Sequence, residues 1–99
     1  MFRHLFMAEF KDDVTEDIRL KVLDEARAIK DHEDCVADLK AGFTTGWAGK
    51  KDMIMLTVDV ASKEDFEAYA GHPYHTGVVM ESIGRYCKPE SIVLGQIEF

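Results

Sequence analysis

Two hydrophobic rhythms run along this chain. Over residues 2–10 the period is two: Phe2, His4, Phe6, Ala8 and Phe10 fall on one side, Arg3, Leu5, Met7 and Glu9 on the other. That predicts a strand, and apolar residues on both sides predict cover on both faces. Lys11, Asp12 and Asp13 form a polar turn. Ile18, Val22, Ala26 and Ile29 then recur at helical spacing, with Leu23 beside them, predicting a helix over residues 14–30. Asp13 or Thr15 can cap its start. Glu16 and Asp17 suit the positive end of the helix dipole and Lys30 the negative end.

Residues 36–45 read as a second strand, and period two returns over residues 53–61, the clearest one. There Ile54, Leu56, Val58 and Val60 share one face, and Met53, Met55, Thr57 and Asp59 the other. Residues 46–52 between them read as a hairpin turn. They do not make a phosphate loop, because the GxxxxGK[ST] spacing needs a glycine at position 44 or 45 and both are threonine. Ser62 caps a short helix carrying Phe66 and Tyr69, which Gly71 can end in the left-handed conformation. His72 precedes a proline and is pushed out of the α region. Pro73 fits the first position of a helix over residues 73–86, with Val78, Val79, Ile83 and Tyr86 as its apolar stripe. Lys88 and Pro89 stop it, and residues 91–99 form the last strand. The order β-α-β-β-α-α-β predicts an α+β fold: a ferredoxin-like sandwich with helices on one face of a four-stranded antiparallel sheet. Residues 1–99 are expected to form a single domain.

Charge narrows the partners. The net charge of −7 argues against a nucleic-acid or anionic-membrane surface, since both need basic patches. No apolar run approaches the ~20 residues of a membrane-spanning helix. Residues 1–6 lack the long apolar core of a signal peptide, so a cytoplasmic location is expected. Cys35 and Cys87 form no CxxC pair, and in that compartment both are expected to be reduced thiols.

The candidate chemistry is concentrated in Tyr69-Ala70-Gly71-His72-Pro73-Tyr74-His75, which holds two of the four histidines. His75 falls near the start of the Pro73 helix, where the dipole disfavours imidazolium and keeps the ring neutral, as a general base needs. Tyr69 can donate a hydrogen bond to a developing oxyanion. His4 shares its strand face with Phe6 and Ala8 and would line the same pocket from below. Phe6, Leu56, Val58, Val79 and Tyr86 are expected to form the apolar lining around an organic substrate. His72 is accounted for by its place before proline. His32, within Asp31-His32-Glu33-Asp34, is expected in solvent. His-Pro-x-His does not put two rings on one helix face as HExxH does, so no metal and no cofactor is expected.

Two stretches carry a family resemblance: His4 in a first strand ending Phe10-Lys11-Asp12, and Ser62-Lys63-Glu64-Asp65-Phe66-Glu67-Ala68-Tyr69 leading into His72-Pro73-Tyr74-His75. Together, and in length and element order, the chain resembles the stress-responsive dimeric α/β-barrel family, often called Dabb. The resemblance implies a ferredoxin-like protomer whose sheet packs against that of a second copy, forming a dimeric barrel. That agrees with Leu5, Met7, Met53 and Met55, which a monomer would leave in water. It also implies mixed activities: stress-responsive proteins without assigned chemistry, cofactor-free polyketide cyclases working between sheet and helices, and, among related barrels, monooxygenases and haem-handling enzymes. The expectation is a homodimer that binds a small apolar or aromatic molecule. The alternative is a cofactor-independent acid–base cyclase, lyase or isomerase, or a monooxygenase-like enzyme, with His75, Tyr69 and His4 as its catalytic groups.

Overall fold

The computed structural model describes residues 1–99. Strand β1 spans Phe2–Ala8, followed by helices α1 (Glu16–Arg27) and α2 (Ile29–His32). Strands β2 (Asp38–Thr45) and β3 (Lys51–Val60) form a hairpin. Helix α3 (Lys63–Gly71), a π-helical turn over His75–Val79, helix α4 (Met80–Tyr86) and strand β4 (Val93–Glu98) complete the chain. The four strands form one antiparallel sheet in the order β2-β3-β1-β4. This is the ferredoxin-like α+β architecture that the alternation of periods implies.

The helices cover one face. Phe6, Ala8, Ile54, Leu56, Val58 and Val60 from the sheet meet Val22, Leu23, Ala26, Ile29, Tyr69, Val79 and Ile83 from the helices in one buried cluster. Each buried side chain of that size stabilises the fold by roughly 1.5–3 kcal/mol relative to exposure. The other face carries Leu5, Met7 and Met55, half-buried, and Val93 and Ile97, exposed at 47% and 61%. Met53 differs from expectation and is covered within the protomer. Asp59, on the outer face, is held by a bidentate pair with Arg3, at 2.7 and 2.8 Å.

Local signals set the element ends. The Thr15 hydroxyl accepts from the Ile18 amide and the Ser62 hydroxyl from the Asp65 amide, so both long helices start where a capping side chain permits. The first helix is shorter than its pattern. It ends at Ala28, and α2 begins a separate turn. In the hairpin, Gly46 has φ +76°, and a Cβ there would meet Lys51 Cβ at 2.7 Å. Gly71 corrects the sequence reading: it is helical, without positive φ, and α3 ends instead on His72 in extended backbone. The proline at position 73 explains this, because it forces its predecessor out of the α region without a left-handed residue. The next helix is also not continuous. A π turn precedes α4, with the Met80 amide donating to the His75 carbonyl.

Candidate active site between the helices and the sheet

The His72-Pro73 junction folds back on itself. The Tyr74 amide donates to His72 Nδ1 at 3.1 Å, so His72 caps the second helical segment with its own ring. That turn places His75 under the end of α3. His75 Nδ1–H donates to the Ala70 carbonyl at 3.0 Å. The bond fixes the tautomer and leaves Nε2 with a free lone pair. Burial pulls the His75 pKa down, the Ala70 carbonyl opposes this, and His72 adds to the lowering. The ring is therefore neutral at pH 7. The π turn begins at this residue, and such bulges recur at functional sites because they re-aim side chains.

Tyr69 stands between the two remaining rings. Its centroid lies 4.5 Å from His75 and 6.0 Å from His4. Burial is the main cause of a strongly raised phenol pKa, with the charge of Glu33 next, so Tyr69 is a hydrogen-bond donor at every working pH. His4 comes from β1, and the Gln96 amide of β4 donates to its Nδ1 at 2.8 Å. This puts the His4 proton on Nε2. Burial and the neighbouring His75 both lower its pKa.

These groups border a cavity of about 290 Å3, lined by twelve residues of which ten are hydrophobic. His4 and His75 are the two that are not. Phe6, Leu56 and Val79 lie on the wall as the sequence suggested, and Tyr69 with them. Val58 and Tyr86 do not. Val58 is sealed in the core beneath the helices. Tyr86, at the C-terminal end of α4, packs against the edge of the core and borders grooves with Arg85 instead. It lies beside Lys11 and Val14 of the connection into α1 and beside Ile18 of α1, beyond the reach of the cavity. The wall is completed by Phe66, Ala70, Met80, Ile83, Ile92 and Leu94. Leu94, at 61% exposure, forms the rim. Gln96 and Leu94 were accessible from the sequence only through the strand pairing, which sets them opposite His4 and Phe6. His32 is exposed as expected but stacks on Tyr74 at 4.0 Å. No three His, Cys, Asp or Glu side chains converge as a metal site would require.

The sequence profile of the stress-responsive A/B barrel domain, Dabb, matches residues 2–94. The chain belongs to this family. No curated protein matches the sequence. Among solved structures, a dimeric ferredoxin-like protein of unknown function from Thermobifida fusca superposes with a TM-score of 0.85 at 20% identity, over 99% of this chain and 90% of that one. A Dabb family protein from Mesorhizobium loti gives 0.81 at 14% identity, over 99% and 95% of the two chains. The hydroxynitrile lyase of Passiflora edulis gives 0.76 at 14% identity, over 97% and 90%. At these identities the likeness is one of fold. The Dabb chain described here thus shares its architecture with proteins of unknown function and with a lyase alike, and its chemistry must be argued from its own cavity.

Proposed function

We propose that this Dabb protein takes a small apolar or aromatic carbonyl compound into the cavity and moves a proton on it without a cofactor. His75 Nε2 is the base, the Tyr69 hydroxyl donates to the carbonyl oxygen, and His4 Nε2–H orients the ligand from the sheet side. The observation that carries this reading is the Ala70 bond to His75 Nδ1, which leaves an unpartnered imidazole lone pair on a ring lining an apolar cavity. A neutral imidazole held this way is a general base at physiological pH. The balance is simple. A C–H proton next to the carbonyl passes to His75, the enolate oxygen is held by Tyr69, and the proton returns to carbon or to a leaving group. A cavity of about 290 Å3 suits a ligand of one ring and a short chain.

The working unit is a homodimer joined through the outer sheet face. Leu5, Met7, Met55, Val93 and Ile97 form an apolar surface there that the protomer's own helices do not cover. The dimeric ferredoxin-like proteins of the same fold support this assembly. No helix is long and apolar enough to cross a membrane.

Acetophenone in D2O tests the chemistry without knowledge of the natural substrate. Deuterium should enter its methyl group faster with the protein than with buffer alone. His75→Asn should remove that acceleration. Equal rates for protein, variant and buffer would contradict the reading.

A further inference from the structure

Beyond His4 the space under α3 opens again. A second hollow of about 300 Å3 lies there. His4 and Phe66 are the two residues that border both it and the cavity of His75. Their rings meet edge to face with centroids 5.2 Å apart, so one aromatic contact divides the two spaces. The strands explain the alignment. Phe2, His4 and Phe6 alternate onto one side of β1, and His4 and Phe6 pair with Gln96 and Leu94 of the edge strand β4. Phe2 and Gln96 line the second hollow, Phe6 and Leu94 the first. The two therefore follow one another along β1, over ~13 Å from Phe2 to Phe6.

Their chemistry differs. The first holds neutral imidazoles and a phenol and no charged side chain. The second has one charged side chain, Lys63, in the first turn of α3. No acidic side chain lines this hollow, and the Lys63 ammonium pairs with no carboxylate of the protein. The neighbouring polar groups are engaged: the Ser62 hydroxyl accepts from the Asp65 amide, and the Gln96 amide donates to His4 Nδ1. His4 itself is 7% exposed, yet its Nε2 has no partner in the protein and is not among the sealed atoms. A path thus leads from a base and a phenol, past an unpartnered imidazole nitrogen, to an unpaired cation.

We propose that the second hollow receives the carboxylate end of the ligand: an aryl ketone sits with its ring and carbonyl beside His75 and Tyr69, and a short alkyl chain passes the edge of Phe66 to bring a carboxylate to Lys63. The proposal deepens the function given above, naming aryl keto acids as the ligand class, and rests on the cavity of His75 as the ligand site. Phe2 and Val60 give the chain an apolar wall. The net charge of −7 does not oppose an anion there. Exposed charges more than about 8–10 Å away are screened at physiological salt, whereas the ammonium stands in contact.

4-Benzoylbutyrate and its methyl ester differ by one charge, and NMR titration of the whole protein with each tests the proposal. The acid should bind about fivefold more tightly than the ester at low salt, with the gap narrowing at high salt. Lys63→Gln should close the gap and leave the affinity for the ester unchanged. Lys63→Arg should keep it. Lys63 is exposed, so both variants should fold. Nuclear Overhauser contacts from the chain methylenes should reach Phe2 and Val60. Equal affinities for acid and ester in the wild type overturn the proposal. So does a gap that survives in Lys63→Gln, or methylene contacts that never reach Phe2 and Val60. An acid that does not bind at all overturns it too, and binding of acetophenone then decides the larger cavity by itself. An acid that binds with these contacts but exchanges no proton next to its carbonyl contradicts the proton-transfer reading and leaves the carboxylate site standing.

Discussion

At the scale of single residues, the site depends on which nitrogen carries which proton. His75 and His4 both have depressed pKa values, each chiefly through burial. Such groups lose protons on folding, so their contribution to stability is complete above the ordinary histidine range and is lost as pH falls through it. Glu33 has the opposite sign. Its carboxyl is raised to about 7, so stability falls as pH rises from the ordinary carboxylate range to that value. The wild type should therefore be most stable in mildly acidic buffer. Glu33→Gln should flatten the alkaline limb of the thermal-melting profile and leave the acid limb in place. His75→Asn should slow the proton transfer by roughly 10²–10⁴-fold, as loss of a positioned base does. Tyr69→Phe should slow it by about 10²-fold or more with little change in ligand affinity, because the oxyanion forms only in the transition state. Of these groups, His75, Tyr69 and His4 were legible in the sequence, since imidazoles and a phenol near a proline junction stand out. Glu33 was not. Its neighbours Asp31 and Asp34 are solvated, and nothing in an unbroken polar run marks the one member that turns inward.

At the scale of elements, strands were easier to read than helix ends. Alternation fixed β1 and β3 within a residue or two, because a period of two leaves no choice of face once one side is buried. The helical regions departed from expectation where the backbone breaks or changes pitch. The break at Ala28 has no proline or glycine to announce it. The π turn at His75–Val79 adds one residue to a turn, which period counting does not detect. The cavity is met by Val79, Met80 and Ile83, while Tyr86 at the end of α4 packs beside Lys11 and Val14. Two substitutions test the local account. Ser62→Ala removes the acceptor for the Asp65 amide and should lower stability by about 1 kcal/mol in chemical denaturation. Gly46→Ala places a side chain at positive φ and against Lys51, and should cost about 1–3 kcal/mol by the same measurement.

At the scale of the whole molecule, the fold is a covered half and an uncovered half. The helical face closes the core and leaves the cavity at its β4 edge, rimmed by Leu94. The outer face carries Leu5, Met7 and Met55, half-buried, and exposed Val93 and Ile97, the surface the proposed dimer would cover. Light scattering should give the mass of a dimer at micromolar concentration, and Leu5→Glu, on the outer face of the central strand, should give a monomer that still folds. Family membership was legible because the junction at His72 and Pro73 is a local signature of backbone geometry. Chemistry was less so, because one fold serves proteins of unknown function and a lyase alike. The chemistry proposed for this chain turns on the state of the His75 ring. Ring-nitrogen 15N NMR of the imidazoles reads that state. The account requires His75 as the neutral Nδ1–H form between pH 6.5 and 8, with the free Nε2 signal shifting when acetophenone is added and His32 unaffected. A His75 that is cationic in that range, protonated on Nε2 instead, or indifferent to the ligand would contradict it.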